Sequence, residues 1–302
     1  MGERAEAGLL RLQAGNPWLD LFGDDPIALA ARIRRDDMAW RQAALAARNA
    51  RIGAGRDVWN AWALDLLACR SEVAATPSLA GIWSALARCE LDDDIPGGGQ
   101  DFSAWLFPGD VALSRNRDRP LALDHAAVMG DILAGGVRFA AAFTLERAHV
   151  RGDLTLRGAV LSGGMRGYGL RVDGGADLTR ADVLGDIWVR GGSRFGSLLA
   201  DHARFAGEAA FGDAVIGGRA QFEAAHFERG AGFGGTLFSD TADFTGARFM
   251  ALADFAEAQF QVVPCFDRAR FSGALRFANA RFPSEDAALA MTALAARVSR
   301  RA

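Results

Sequence analysis

The chain has 302 residues, half of them hydrophobic, and a formal net charge of −3. That length buries a sizeable core in one long or two ordinary domains, and the balanced charge excludes a global bias towards nucleic acid or an anionic membrane surface. Three scattered cysteines, Cys69, Cys89 and Cys265, build neither a disulfide framework nor a zinc site and read as small buried hydrophobes.

The N-terminus "MGERAEAGLLRLQAGNPW" is charged, helical in pattern and unlike a secretory signal. No apolar run is long enough to suggest a membrane-spanning helix. A soluble, cytoplasmic protein is the expectation. All basic residues are arginine; with the abundant alanine and glycine this suggests a GC-rich bacterial genome.

Six of the seven tryptophans fall in the first 105 residues, where the hydrophobic period is helical. A first helix is expected near 3–14. The segment 25–50 opens with Asp25 as N-cap and Pro26 at the first helical position, where a missing N–H costs nothing. The segment 55–74 places Trp59, Trp62, Leu66 and Cys69 on one stripe, and 78–91 reads as a further helix capped by Ser78. Together these predict a small all-α domain over 1–95. Its tryptophan stripe reads as core, the alternative being a groove for a partner helix.

An acidic run, proline and three glycines, "DDDIPGGGQ" (92–100), mark a linker. The segment 101–113 then sets Phe102, Phe107 and Leu113 at five-and-six spacing, whereas about 114–138 shows no repeat and reads as an insertion, a loop and short helix. From Phe139 onwards large apolar residues recur in pairs of slots five apart, a new pair beginning at every eleventh position: Leu145 and Val150, Leu156 and Leu161, Phe222 and Phe227, Phe244 and Phe249, up to Phe277 and Phe282. Small residues, such as Ala242, Ala247, Ala253 and Ala258, stand two places before the slots.

Alternate residues of an extended segment face one side, so each slot and its small predecessor point inward while the rest of the unit turns a corner. Stacking such units buries a face that no single unit could bury. The spacing alone allows a two-sided coil made of one pair of slots or a four-sided coil made of two pairs. Two places break the pattern. Gly167 occupies a slot beside the only tyrosine, Tyr168, and Arg194 and Ala200 fall on slots with Phe195 and Leu199 displaced by one. A bulge is expected there, or a bulge that opens a recess for a ligand. At 284–302 an amphipathic helix with Ser284 as N-cap is expected to cover the last coil.

The stretches "ADFTGARF" (242–249), "ADFAEAQF" (253–260), "DRARFSGALRFANARF" (267–282) and "GDLTLRGAVL" (152–161) resemble the pentapeptide-repeat family. The resemblance implies a mainly β architecture, a right-handed quadrilateral β-helix over 96–283, preceded by the helical domain and capped by the C-terminal helix. It also implies four sides rather than two, and a homodimer formed through the C-terminal end as one possibility.

No phosphate loop, dinucleotide fingerprint, HExxH, GxSxG or paired-cysteine pattern occurs, so no catalytic residue, metal or cofactor is assigned. Two surfaces stand out. With two pairs of slots per coil, Arg204, His226, Arg248 and Arg270 stack into one outward column, a solvated face or a basic ridge for an anionic partner. Asp124 and His125 in the insertion, with Tyr168 and Arg194, are the place to look for a recess or chemistry. The leading expectation is a non-enzymatic scaffold that binds a protein or peptide partner. One alternative, implied by the family, is protection of DNA gyrase or topoisomerase IV by DNA mimicry. Residues 139–283 carry about 16 acidic and 16 basic side chains, which makes a poor duplex mimic, and direct binding of nucleic acid is not expected. The other alternative is a peptide-modifying enzyme or accessory using the insertion around His125.

Overall fold

Each repeat unit of the chain folds as a short strand followed by a turn. In Phe244-Thr245-Gly246-Ala247, the Ala247 N–H donates to the Phe244 carbonyl at 3.0 Å and Gly246 has φ +67°, the geometry of a type II turn. The aspartate before the slot serves that turn, since Asp243 Oδ1 accepts the Thr245 N–H (2.8 Å) and Asp254 Oδ1 that of Ala256 (3.0 Å). The small residue two places earlier leaves room for the ring of the slot.

The computed structural model describes residues 26–35, 38–68, 70–75, 83–91, 101–113 and 116–300. The helix expected near 3–14, the caps Asp25 and Ser78, Cys69 and the linker at 92–100 lie outside them. Each strand pairs in parallel with the strand two pairs of slots further on, as in Arg204↔His226↔Arg248↔Arg270. The coil is therefore four-sided, and the two-sided alternative falls. Four ladders of eight rungs give a parallel β-solenoid of about eight turns. The third face runs from Asn116–Arg117 to Arg270–Phe271, and the fourth from Leu121–Ala122 to Leu275–Arg276. The first and second faces fuse into one 14-stranded sheet, because Arg171–Asp177 and Arg194–Leu199 run as strands through the corner between them.

Phenylalanine ladders fill the interior. Phe205, Phe227, Phe249 and Phe271 stack at 4.9–5.0 Å between ring centroids, and Phe211, Phe233, Phe255 and Phe277 at 5.0–5.4 Å. Rings of neighbouring ladders meet edge to face, as Phe233 does with Phe222 and Phe244. Towards the N-terminus volume is redistributed rather than lost. On the fourth face the inward pairs Phe143/Leu145, Met165/Gly167 and Ile187/Val189 give way to Ala209/Phe211 and Ala231/Phe233, all buried. A large residue two places before the slot goes with a smaller one in it, which keeps the cross-section filled.

Several expectations are corrected. The stretch 114–138 is no insertion: Asn116–Arg117, Leu121–Ala122, Ala127–Val128 and Ile132–Leu133 are ladder strands, with Arg117, Leu123, Val128 and Ala134 in the slots. The repeat is masked by these non-aromatic slots and by a register slip, since Leu106 pairs with Ala127 at a step of 21 whereas Asn116 pairs with Arg138 at 22. Arg117 is fully buried and donates from Nη1 to the Leu91 carbonyl at 2.9 Å. The helix expected over 78–91 is described from Trp83 to Ala87, after which Cys89–Leu91 pairs with Val111–Leu113 as the first rung of the second face. No recess opens at Gly167. A Cβ there would lie 3.0 Å from Val189 and 3.1 Å from Leu170, whose bulk occupies the slot. At the second irregularity Arg171 pairs with Arg194 at a step of 23 and Arg194 with Val215 at 21. The inserted residue turns Phe195 inward and Arg194 outward, while Ala200 keeps its slot and is buried.

Helices α1 (Pro26–Arg34), α2 (Met38–Ala54), α3 (Arg56–Ala68), α4 (Arg70–Ala75) and α5 (Trp83–Ala87) precede the solenoid. The tryptophan stripe of α3 packs on the first coil, with the Trp59 centroid 5.7 Å from that of Trp105 and 5.9 Å from that of Phe107. Asn60 imitates a neighbouring strand: its amide donates to the Ala104 carbonyl (3.2 Å) and accepts the Leu106 N–H (2.8 Å). An open β edge is thus closed by a helix. Arg51 lies over the Trp62 ring at 4.6 Å, and burial pushes its pKa down to about 10. At the other end α6 (Glu285–Ser299) starts at Ser284, whose Oγ accepts the Ala287 N–H. It covers the last coil only in part, leaving Phe266, Phe271, Phe277 and Phe282 partly exposed.

Candidate functional site

The solenoid determines what each outward residue meets, because neighbours in a ladder come from equivalent positions of successive coils. On the third face Arg204, His226, Arg248 and Arg270 stand in one ladder. Arg204 is neutralised, its Nε on Glu228 at 2.7 Å and its Nη1 on Asp182 at 2.9 Å; these hydrogen bonds, that to Glu228 first, raise its pKa. Arg248 and Arg270 are exposed and form no ion pair among the described residues. The ridge therefore offers His226, Arg248 and Arg270, with Arg204 serving to brace neighbouring coils.

The residues expected to form a recess do not assemble. His125 is exposed at the left-handed position of a turn (φ +57°), and Asp124 accepts the Glu146 N–H at 2.7 Å. Tyr168 stands two coils further along, about 10 Å away at the strand spacing, where the Arg147 N–H donates to its carbonyl. Arg194 lies around the corner on the first face, beside Arg171. Among the described residues no three His, Cys, Asp or Glu side chains are grouped to hold a metal ion.

Two clusters escaped the sequence reading because only the coil register makes them neighbours. On the first face Asp173 accepts from His149 Nε2 at 2.9 Å and from Arg171 Nε at 2.6 Å. These bonds, that of His149 first, hold the Asp173 carboxyl below the usual carboxylate range. A depressed carboxylate pKa contributes stability above the unfolded value near 4, and that contribution is lost as pH falls through the folded value. Asp173→Asn should therefore lower Tm at pH 7 by about 1–2 °C. In melts recorded across pH, the difference from wild type should begin to shrink as pH falls below about 4 and be lost once pH has passed below the folded value. A difference that persists in acid would assign the loss to packing instead. The second cluster is aromatic. On the fourth face Trp188 lies between Arg166 and Arg190, each guanidinium carbon 5.7 Å from its ring centroid. Tyr168, 49% exposed, lies across Gly191, where a Cβ would collide with the ring.

Compared with known families, residues 200–248 match the model described as pentapeptide repeats, in nine copies. These residues are pentapeptide repeats. The matched segment occupies the regular middle of the solenoid, and the ladders extend its pairing from there to both ends. No curated protein and no solved structure matches the chain. No helix among the described residues is long and apolar enough to cross a membrane.

Proposed function

We propose that this pentapeptide-repeat solenoid is a non-enzymatic scaffold that binds a protein or peptide partner along its outward ladders. The observation that carries the reading is the third-face ridge, where Arg248 and Arg270 remain exposed and outside any ion pair among the described residues, beside His226, while Arg204 is consumed by two carboxylates. Stacked coils hold these groups at a fixed spacing of about 4.8 Å, so an anionic surface meets a preorganised row. Reversing the ridge with Arg248→Glu and Arg270→Glu should weaken capture of the cognate partner at least about tenfold, because each former contact becomes a repulsion. Quantitative pull-down against wild type reads this, and unchanged capture would refute the ridge. Self-association belongs to the same reading, through the partly covered phenylalanines of the last coil and the exposed Leu289 of α6. A monomer mass at every concentration in sedimentation would dismiss it.

A second reading, protection of a type II topoisomerase by duplex mimicry, draws support from stacked acidic corners. Asp110, Asp131 and Asp153 each accept the backbone N–H of the next coil, and Asp186 and Asp201 accept those of Glu208 and Glu223. The equal number of arginines and acidic side chains over residues 139–283 weighs against it. Gyrase supercoiling in the presence of a quinolone separates the two readings. Absence of protection at stoichiometric excess leaves the scaffold alone.

A further inference from the structure

We propose that the corner bearing Arg147, Arg166, Tyr168, Trp188 and Arg190 docks a short acidic peptide segment of a protein partner. This rests on the scaffold reading and gives the scaffold a chemically defined second face. Trp188 is the one tryptophan beyond residue 105 and Tyr168 the only tyrosine, and both point outward from a wall whose aromatic residues otherwise face in. Register brings the five side chains together. Arg166 and Trp188 are ladder partners, the Arg147 N–H donates to the Tyr168 carbonyl (2.8 Å), and the Gly169 N–H donates to that of Arg190 (3.0 Å).

Some arginines of the solenoid are paired with carboxylates of the neighbouring coil, and those of this corner, like Arg248 and Arg270, are not among the described residues. Arg157 meets Asp177 at 3.0 Å, Arg204 meets Asp182 at 2.9 Å and Arg276 meets Asp254 at 3.5 Å, each one coil away. Arg147, Arg166 and Arg190 are exposed and form no ion pair among the described residues. Of the carboxylates in the adjoining columns, Asp124 accepts the Glu146 N–H and Asp186 that of Glu208. Beyond Trp188 the ladder continues with Ala210 and Gly232, which are too small to cover the indole. Available guanidinium groups around outward-facing aromatic rings are the composition of an interface hot spot.

Charge and spacing select the occupant. Three arginines call for carboxylates, and successive coils set their anchor points about 5–10 Å apart, a range that includes the ~6.8 Å between alternate residues of an extended peptide. A long polyanion would also run over the acidic corners Asp110, Asp131 and Asp153, and over Asp201 and Glu223, and be repelled. A short segment with two or three carboxylates and an apolar side chain for the indole meets the patch alone.

The test is fluorescence anisotropy of the full chain at low salt with a labelled peptide of alternating glutamate and phenylalanine, its glutamine counterpart, and a ten-nucleotide oligothymidylate. The glutamate peptide should bind at least about tenfold more tightly than the glutamine peptide and more tightly than the oligonucleotide. Arg166→Ala with Arg190→Ala should weaken it about fivefold or more, while Arg248→Ala with Arg270→Ala changes it less than about twofold. Equal binding of the two peptides, no binding at millimolar concentration, or preference for the oligonucleotide overturns the proposal. Loss of binding in the Arg248 and Arg270 variant alone transfers the acidic peptide to the ridge, which overturns this corner and leaves the scaffold reading standing.

Discussion

Truncating Phe233 to alanine should destabilise the solenoid by about 3–5 kcal/mol, the range for deleting a buried phenylalanine. The ring is fully buried, stacked on Phe211 at 5.3 Å and on Phe255 at 5.0 Å, with Phe222 and Phe244 edge-on. Each coil contacts only the coils before and after it, so the cavity cannot be closed by a distant rearrangement. The expected fall in Tm is roughly 10 °C or more, measured by circular dichroism. Phe282→Ala, at the partly exposed end with Phe260 and Phe277 as its ring neighbours, should cost less than about 2 kcal/mol. Equal losses at the two positions would show that ladder depth does not govern stability.

Trp59→Ala should be comparably damaging and should change the behaviour of the protein in a second way. Trp59 is 1% exposed, packs on Trp105 and Phe107, and donates from Nε1 to the Leu106 carbonyl at 2.7 Å. Its loss costs about 3–5 kcal/mol and loosens the helix whose Asn60 closes the first-coil edge. An uncovered parallel edge recruits other chains. Light scattering should therefore rise with concentration for Trp59→Ala and stay flat for Phe233→Ala at matched residual stability. Trp59→Phe keeps most of the packing but loses the hydrogen bond, and should lie between wild type and Trp59→Ala. Wild-type scattering from Trp59→Ala would remove α3 as the edge cover.

The regular half of this architecture was legible because a ladder needs the same residue type at the same interval. Alanine and phenylalanine at five-and-six spacing, with Asp243 and Asp254 bracing the turns, leave few other ways to bury so much apolar area. The coil over 114–138 was not legible, for an equally physical reason. Core volume is conserved over a pair of positions, so Leu121 with Leu123, or Ile132 with Ala134, satisfies the same space without satisfying the consensus. Arg117 reads as polar in sequence, yet it fills a slot and hydrogen-bonds to the Leu91 carbonyl. The ridge could be read because its members recur once per coil at a constant interval. The corner around Trp188 could not, since its members come from different columns and a tryptophan carries no mark of facing outward.

The sequence by itself thus determined the repeat, the inward direction of its large side chains and the capping helix begun at Ser284, all of which follow from local spacing and local hydrogen bonding. Tertiary structure alone decided that Arg204 is spent on Asp182 and Glu228, that Arg194 faces out beside Arg171, and that Arg147, Arg166 and Arg190 stand outside any ion pair among the described residues, around two outward-facing rings. Those facts depend on which coil lies against which, and a single slip of one residue reassigns every neighbour across the ladder.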